Sequence, residues 1–312
     1  MIYNEQKLES FARKPFKYET QKVIDTHEEV REAVRLYFDK QNIKDTYNIG
    51  SLPNVDIFLQ GSYKNDTDVT KSSDVDVVVR LETVFQSNKE TLSPQQLQKF
   101  NTVYSNSNYS FKDFNVHILQ AVESHFGKQY VTNDDKCLKI KEHSKFCNAD
   151  VIPCLTYRNY GVFESTSNQK FDEGIYFITN QNIKVINYPK QHYSNLTIKS
   201  SATNGNFKST VRMFKNIKDD LIEKGAISED VAKSYFIENL LFNVPDNLFN
   251  GTYTERFRNI LNFLIEQFKT SNLSGYYCAN GIVPLFSGTA WSLDKVEKFL
   301  RILIKVRDET QL

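Results

Sequence analysis

The sequence predicts an α+β protein: an N-terminal lobe of mixed sheet with flanking helices, followed by a helical C-terminal lobe. Three observations carry this. Short apolar runs rich in Val, Ile and Leu, at 55–60, 74–81 and within 128–156, are bounded by turn residues in the manner of strands. After Pro189 such runs stop, and apolar residues recur at helical spacing. The chain has 312 residues, 40% hydrophobic and 13% aromatic, enough to bury a core in one large domain or two ordinary ones. The lobes are accordingly set at 1–190 and 191–312, with a cleft expected between them.

The elements follow in order. Val23, His27, Val30, Ala33, Val34 and Phe38 mark a helical face within 5–42. Pro15 breaks the pattern, so the long helix starts after Lys17. "VDIFLQ" (55–60) and "DVDVVVRL" (74–81) are strands. Ser93-Pro94 supplies an N-cap and an N1 proline for a helix over 94–104, and 114–126 is another. "KQYVTND", "CLKIK" and "NADVIPCL" read as short strands, with turns at Asn133-Asp134 and around His143. A hairpin-like piece covers 174–186. Helices are expected at 204–224, 229–243, 253–272 and 292–308.

Composition narrows the function. Lys and Arg total 39 against 38 Asp and Glu, so no global basic field forces a nucleic-acid reading. No apolar run approaches the ~20 residues of a membrane span. Four cysteines without a CxxC pair, and no N-terminal apolar segment, fit reduced thiols and a cytoplasmic location. N-x-S/T matches such as those at Asn65, Asn108, Asn195 and Asn250 are then chance. There is no GxxxxGK[ST] loop and no GxGxxG turn.

Chemistry concentrates in residues 61–79. Asp74 and Asp76, two apart on a strand, face one way while Val75 and Val77 face the other. Close carboxylates repel unless a cation lies between them. Mg²⁺, with Mn²⁺ as an alternative, takes one or two carboxylates and completes its shell with substrate phosphates. Asp150, in "NADVIPC", is the third carboxylate that would complete a two-metal site. Gly61 lets the backbone approach closely, and Ser62 offers a hydroxyl and an N–H to a phosphate oxygen. The opposing reading of a lone D-x-D is a solvated strand edge. Gly-Ser, eleven intervening residues, Asp-x-Asp and a later strand-borne Asp together outweigh it. Asp56, Asp66, Asp68, Asp134 and Asp135 are expected on turns or the surface.

Gly61-Ser62, Asp74-x-Asp76 and Asp150 together resemble the DNA polymerase β-like nucleotidyltransferase superfamily. Within it, "GSYKNDTDVTKSSDVDVVV", "NADVIPCLTYR", "TNGNFKSTVRMFKNI" and "KSYFIENLLFNVP" resemble the bacterial relatives of cyclic GMP–AMP synthase, the CD-NTases, over residues 55 to 300. The resemblance implies a metal-dependent enzyme that joins NTPs into a cyclic di- or trinucleotide and releases pyrophosphate. It implies that Asp74 and Asp76 bind both metals and that Asp150 binds the catalytic one. The product would be a second messenger for an effector in anti-phage signalling.

In the C-terminal lobe Phe207, Val211, Phe214, Ile217 and Leu221 form an apolar stripe. Lys208, Arg212 and Lys215 follow one position later, about 100° around the helix, where three cations would balance a triphosphate. A solvated flank is the competing reading, and Arg212 has the alternative of pairing within the protein. Ser234-Tyr235 matches a family pair in which Ser234 would hydrogen-bond the triphosphate and Tyr235 would stack on a base; a half-buried core aromatic is the alternative for Tyr235.

Weaker signals remain. Cys137, His143, Cys147 and Cys154 loosely resemble a zinc set, but their spacing fits no known ribbon, and buried thiols are preferred. Lys136, Lys139, Lys141 and Lys145 form a modest basic patch, an exposed strand face or a contact for a regulatory nucleic acid. Trp291 and His192 receive no chemistry. An accessory protein partner and a monomeric state complete the expectations. Two rival functions stand: transfer of one nucleotide to a protein, RNA or small molecule, and a non-catalytic nucleic-acid sensor.

Overall fold

The computed structural model describes residues 3–14, 17–49, 53–69, 74–144, 146–287 and 291–309, with the backbone alone for 17–20. In chain order the elements are α1 (Glu5–Ala12), α2 (Lys17–Lys40), α3 (Ile43–Thr46), β1 (Val55–Gln60), α4 (Gly61–Asn65), β2 (Val75–Asn88), α5 (Pro94–Val103) and α6 (Phe111–Phe126). Then come β3 (Val131–Asn133), β4 (Leu138–Ile140), β5 (Ala149–Ser165), β6 (Asn168–Ile178), β7 (Lys184–Asn187), α7 (Pro189–Ala202), α8 (Asn206–Glu223), α9 (Ser234–Phe242), α10 (Tyr253–Lys269) and α11 (Leu293–Glu309).

The chain divides into two compact units. A sheet unit holds residues 17–60 and 74–189; a helical unit holds 1–16, 61–73 and 190–312. This differs from lobes at 1–190 and 191–312. Residues 1–16 go with the helical unit because Tyr3, Leu8 and Ala12 are part of its core. Residues 61–73 go with it because Asn65, Asp66 and Thr67 bond to α8 and α9.

In the sheet unit the seven strands run β1-β2-β5-β4-β3, with β6 pairing β5 and β7 pairing β6. β2 and β5 are parallel; the other pairs are antiparallel. Val77, Val78, Val79 and Leu81 are all buried. A strand buried on both faces reads as a continuous apolar run, which is why the alternation at its start does not persist. β2 and β5 reach 14 and 17 residues, longer than their sequence segments suggested. Pro153, which donates no hydrogen bond, is tolerated inside β5. β4 pairs only Ala149–Val151 and β6 pairs from Leu155 onward, leaving a gap along that side of β5 at Pro153. Arg80, 3% exposed, is held by Asp56, Glu82 and Glu173 at 2.6–2.9 Å. Asp56 is therefore a strand residue opposite Arg80 and not a turn residue.

In the helical unit the apolar stripe of α8 is buried as its spacing demands, packed with Phe236, Leu240, Phe257, Leu261, Phe299 and Leu303. α7 was not legible because it has no apolar stripe: His192 and Leu196, one turn apart, are its buried residues. α9 starts at Ser234, later than 229. No helix among the described residues is long and apolar enough to cross a membrane.

Candidate active site

In the parallel pair, Val75 lies opposite Ala149, Asp76 opposite Asp150 and Val77 opposite Val151. Neighbouring strands lie about 4.8 Å apart, so the Asp76 and Asp150 side chains leave the sheet side by side on one face. Asp74, just ahead of β2, is exposed, while Asp76 and Asp150 are half-buried. On the far side of Asp150 stands Lys139 of β4, its register partner, whose ammonium is bonded to Asp134 at 2.7 Å. An open cavity of about 280 Å³ is lined by Asp74, Asp150, Lys139, Lys141, Thr132 and Asn148.

Burial pushes the Asp150 carboxyl above its usual range; the Cys137 thiol and Lys139 oppose the rise and the Asp74 charge adds to it. Burial, reinforced by the Asp150 charge, pushes the Cys137 thiol up to about 12. Among the described residues no three acidic, cysteine or histidine side chains already stand at ligating distance from a common point. The donor set nevertheless suits a hard divalent cation: carboxylate oxygens only, two of them strand neighbours, one destabilised by burial and by like charge. The loose zinc set is not gathered. Cys137 faces Asp150, Cys147 bonds Thr26, and Cys154 is wholly buried in the sheet unit's core.

Gly61 directly follows Gln60, the register partner of Asp76. Its φ of 69° is left-handed, so the strand-to-helix turn into α4 needs glycine. Ser62 is half-buried on the first turn of α4. Just beyond, the chain is clamped. Arg212 donates to the Asp66 carbonyl at 2.6 Å and to the Ala12 carbonyl at 2.8 Å. Lys215 donates to Glu238 at 2.8 Å and to the Thr67 carbonyl at 3.1 Å. Glu238 also accepts from Asn65 and His192, both at 3.0 Å, and from the Thr67 hydroxyl. Asp68 is buried and so not a surface residue, whereas Asp66 lies on the turn after α4 as expected and pairs with Lys14.

The expectation that Arg212 and Lys215 face a triphosphate is therefore corrected. Arg212 is 5% and Lys215 1% exposed, and both hold protein groups. A flank one position off an apolar stripe is itself buried when neighbours cover the helix on both sides, as α1 and α9 do for α8. Lys208 is half-buried. Sequence reasoning missed Lys218, one turn beyond Lys215: its ammonium bonds Asp219 and lies 3.5 Å from the Ser234 hydroxyl. The same 4-3 progression, extended by three, would have found it. It also missed Glu238 and His192. A lone glutamate within the apolar "SYFIENLLF" was the available signal.

Tyr235 is half-buried, with His192 stacked on its ring at 5.2 Å and Trp291 tilted at 6.4 Å. Burial, followed by the neighbouring Cys278, raises its hydroxyl. Of the basic patch, Lys139 and Lys141 line the cavity beside Asp74 and Asp150, while Lys145 lies outside the described residues.

Comparison with known proteins adds independent findings. Residues 194–307 match the model of the cGAS/DncV-like nucleotidyltransferase C-terminal helical domain. The chain is 36% identical to a cyclic UMP-AMP synthase of Rhodothermus marinus over 280 residues, 89% of each chain. It is 32% identical over 288 residues to a cyclic dipurine nucleotide synthase of Elizabethkingia meningoseptica, covering 92% of both. The solved Rhodothermus marinus c-UMP-AMP synthase, bound to Apcpp and Upnpp, superposes with a TM-score of 0.83 at 35% identity, covering 98% of this chain and 97% of that one. The Elizabethkingia meningoseptica enzyme with GTP and Apcpp gives 0.76 at 29% identity, covering 98% of each.

Proposed function

The chain belongs to the bacterial cGAS/DncV-like nucleotidyltransferases, the CD-NTases, and from that premise we propose that it condenses two NTPs into a cyclic dinucleotide with release of pyrophosphate. The observation that carries the reading is the direct pairing of Asp76 with Asp150 across β2 and β5, with Asp74 leading into the strand. The relatives named above make cyclic dinucleotides of different bases, so the two-step chemistry is common ground while base choice varies among them.

Asp74, Asp76 and Asp150 would hold divalent magnesium or manganese. When bound, that cation neutralises triphosphate charge and eases ionisation of the attacking hydroxyl. The Gly61-Ser62 turn offers a backbone N–H and a hydroxyl to phosphate oxygens. Ser234 and Lys218, 3.5 Å apart, form a second triphosphate contact, with Lys208 on the same helix as Lys218. Arg212 and Lys215 serve by holding the backbone that follows the turn. Asp150, whose carboxyl burial moves upward, would take the proton of the attacking ribose hydroxyl. That oxygen bonds to the α-phosphorus of the second nucleotide as the bond to pyrophosphate breaks; a repeat closes the ring. The half-buried Tyr235 ring would supply stacking that accepts more than one base. The product then acts as a second messenger on an effector in cytoplasmic anti-phage defence, a role resting on the family resemblance.

Incubation with an equimolar NTP mixture and Mg²⁺, followed by mass spectrometry, tests this. A phosphatase-resistant cyclic dinucleotide with stoichiometric pyrophosphate is expected. Nucleotide found only on an added protein or RNA would favour the single-transfer rival. No pyrophosphate with either metal would favour the non-catalytic sensor.

A further inference from the structure

A second cavity lies wholly within the helical unit, between the 226–231 segment and α11, with a volume of about 540 Å³. That is within the range of small-molecule sites, about 300–1,000 Å³. Its basic wall is a single face of α11: Lys295, Lys298, Arg301 and Lys305, at spacings of three, three and four. Its floor is apolar, made by Ile227, Val231 and Ile302, which pack against the helical core. Asp230 is the one acid in the lining, and it meets Lys295 at 3.4 Å. Arg301 is bonded to Glu297 at 2.5 Å on its own helix. Among the described residues Lys298 and Lys305 form no ion pair.

Isolated lysines on an exposed helix are ordinarily solvated and need no ligand. Here four cations line a concave, apolar-floored space with one opposing carboxylate. Lys298 and Lys305 are seven residues apart, about 10 Å along a helix rising 1.5 Å per residue. A single phosphate cannot reach both. The apolar floor gives an inorganic polyphosphate nothing to cover, whereas a ligand with a planar or apolar part buries it. We infer that this cavity binds an organic polyanion of nucleotide class, roughly 10 Å long, with its charged groups on Lys298 and Lys305 and its flat portion over Ile227 and Ile302. The site shares no residue with the carboxylate face or the triphosphate contacts, so it stands apart from the proposed catalysis.

Calorimetric titration of the full chain in EDTA, which removes the divalent metal, tests the inference with two probes: a cyclic dinucleotide and inorganic tripolyphosphate. The wild type should bind the dinucleotide saturably, and K298E/K305E, both exposed positions, should weaken it at least tenfold, about 1.4 kcal/mol. Equal binding by the two forms, or no saturable dinucleotide binding by the wild type below about 1 mM, overturns the site. Tripolyphosphate binding alone, lost in the variant, overturns the organic ligand and leaves a simple charge patch. Pyrophosphate release by K298E/K305E should match the wild type; release absent from both would count against the enzymatic reading while leaving the binding result intact.

Discussion

Asp150 in the sheet unit and Glu238 in the helical unit are both carboxylates drawn out of water, yet their surroundings push them in opposite directions. Asp150 is raised by burial and by the nearby Asp74. Glu238 pays the same burial penalty but is driven well below the usual range by Lys215 and His192. One site gathers like charges at the mouth of a strand pair. The other is complete: Lys215, His192, Asn65 and Thr67 all donate to Glu238. The difference separates carboxylates set beside one another from a joint that holds the protein together. A buried carboxylate by itself distinguishes neither.

Removing the first kind should cost function and spare the fold. Asp76→Ala or Asp150→Ala should lower dinucleotide synthesis about 1,000-fold or more, since charge stabilisation there supplies several kcal/mol. For Asp150→Ala the melting temperature should be unchanged or higher, because burial of the charge and the Asp74 repulsion are relieved. Retention of a tenth of the activity would break the assignment.

The reverse is expected of Glu238→Gln. It strands Lys215 in the core, and urea denaturation should show a loss of about 3–5 kcal/mol. Lys215→Met combined with Glu238→Leu should recover much of it; failure to do so would mean that the 65–67 segment, rather than the charge, dominates. Lys218→Ala sharpens the contrast along α8. If Lys218 rather than Lys215 contacts the triphosphate, KM for NTP should rise about 10- to 100-fold, the 1.5–3 kcal/mol of a charged hydrogen bond, with little change in melting temperature.

A pH series probes the same joint. Glu238 is held below its unfolded value, so its stabilisation is fully present above the ordinary glutamate range and disappears as pH falls through the folded value. The helical unit should therefore be stable from neutrality down to about pH 5, then weaken as acid is added. Glu238→Gln should flatten that acid slope. The smallest effect is expected at the turn: Gly61→Ala, at φ 69°, should cost about 1–2 kcal/mol.

Much of this was legible. The D-x-D strand, the strand start at Asp150 and the α8 stripe each follow from local periodicity, and the Ser93-Pro94 cap marks the start of α5. Lys208, Arg212 and Lys215 were read as one cationic flank, and the structure separates them. Burial of a flank depends on which other helices lie beside it, and the sequence of α8 does not contain that. α7 was missed because a helix with two buried residues leaves no periodic trace.

The sequence alone determined the chemistry available: three carboxylates on two strand starts, a glycine where the backbone must turn, and the residue types of a nucleotidyltransferase. Short-range geometry suffices for these, because alternation along a strand and the spacing of a turn are local. Only the tertiary structure decided which charges stay open and which are neutralised. The parallel register sets Asp76 beside Asp150, and packing closes Lys215 over Glu238. Partners 23 to 173 residues apart meet through the fold, and Coulomb forces depend on that meeting and not on their order in the chain.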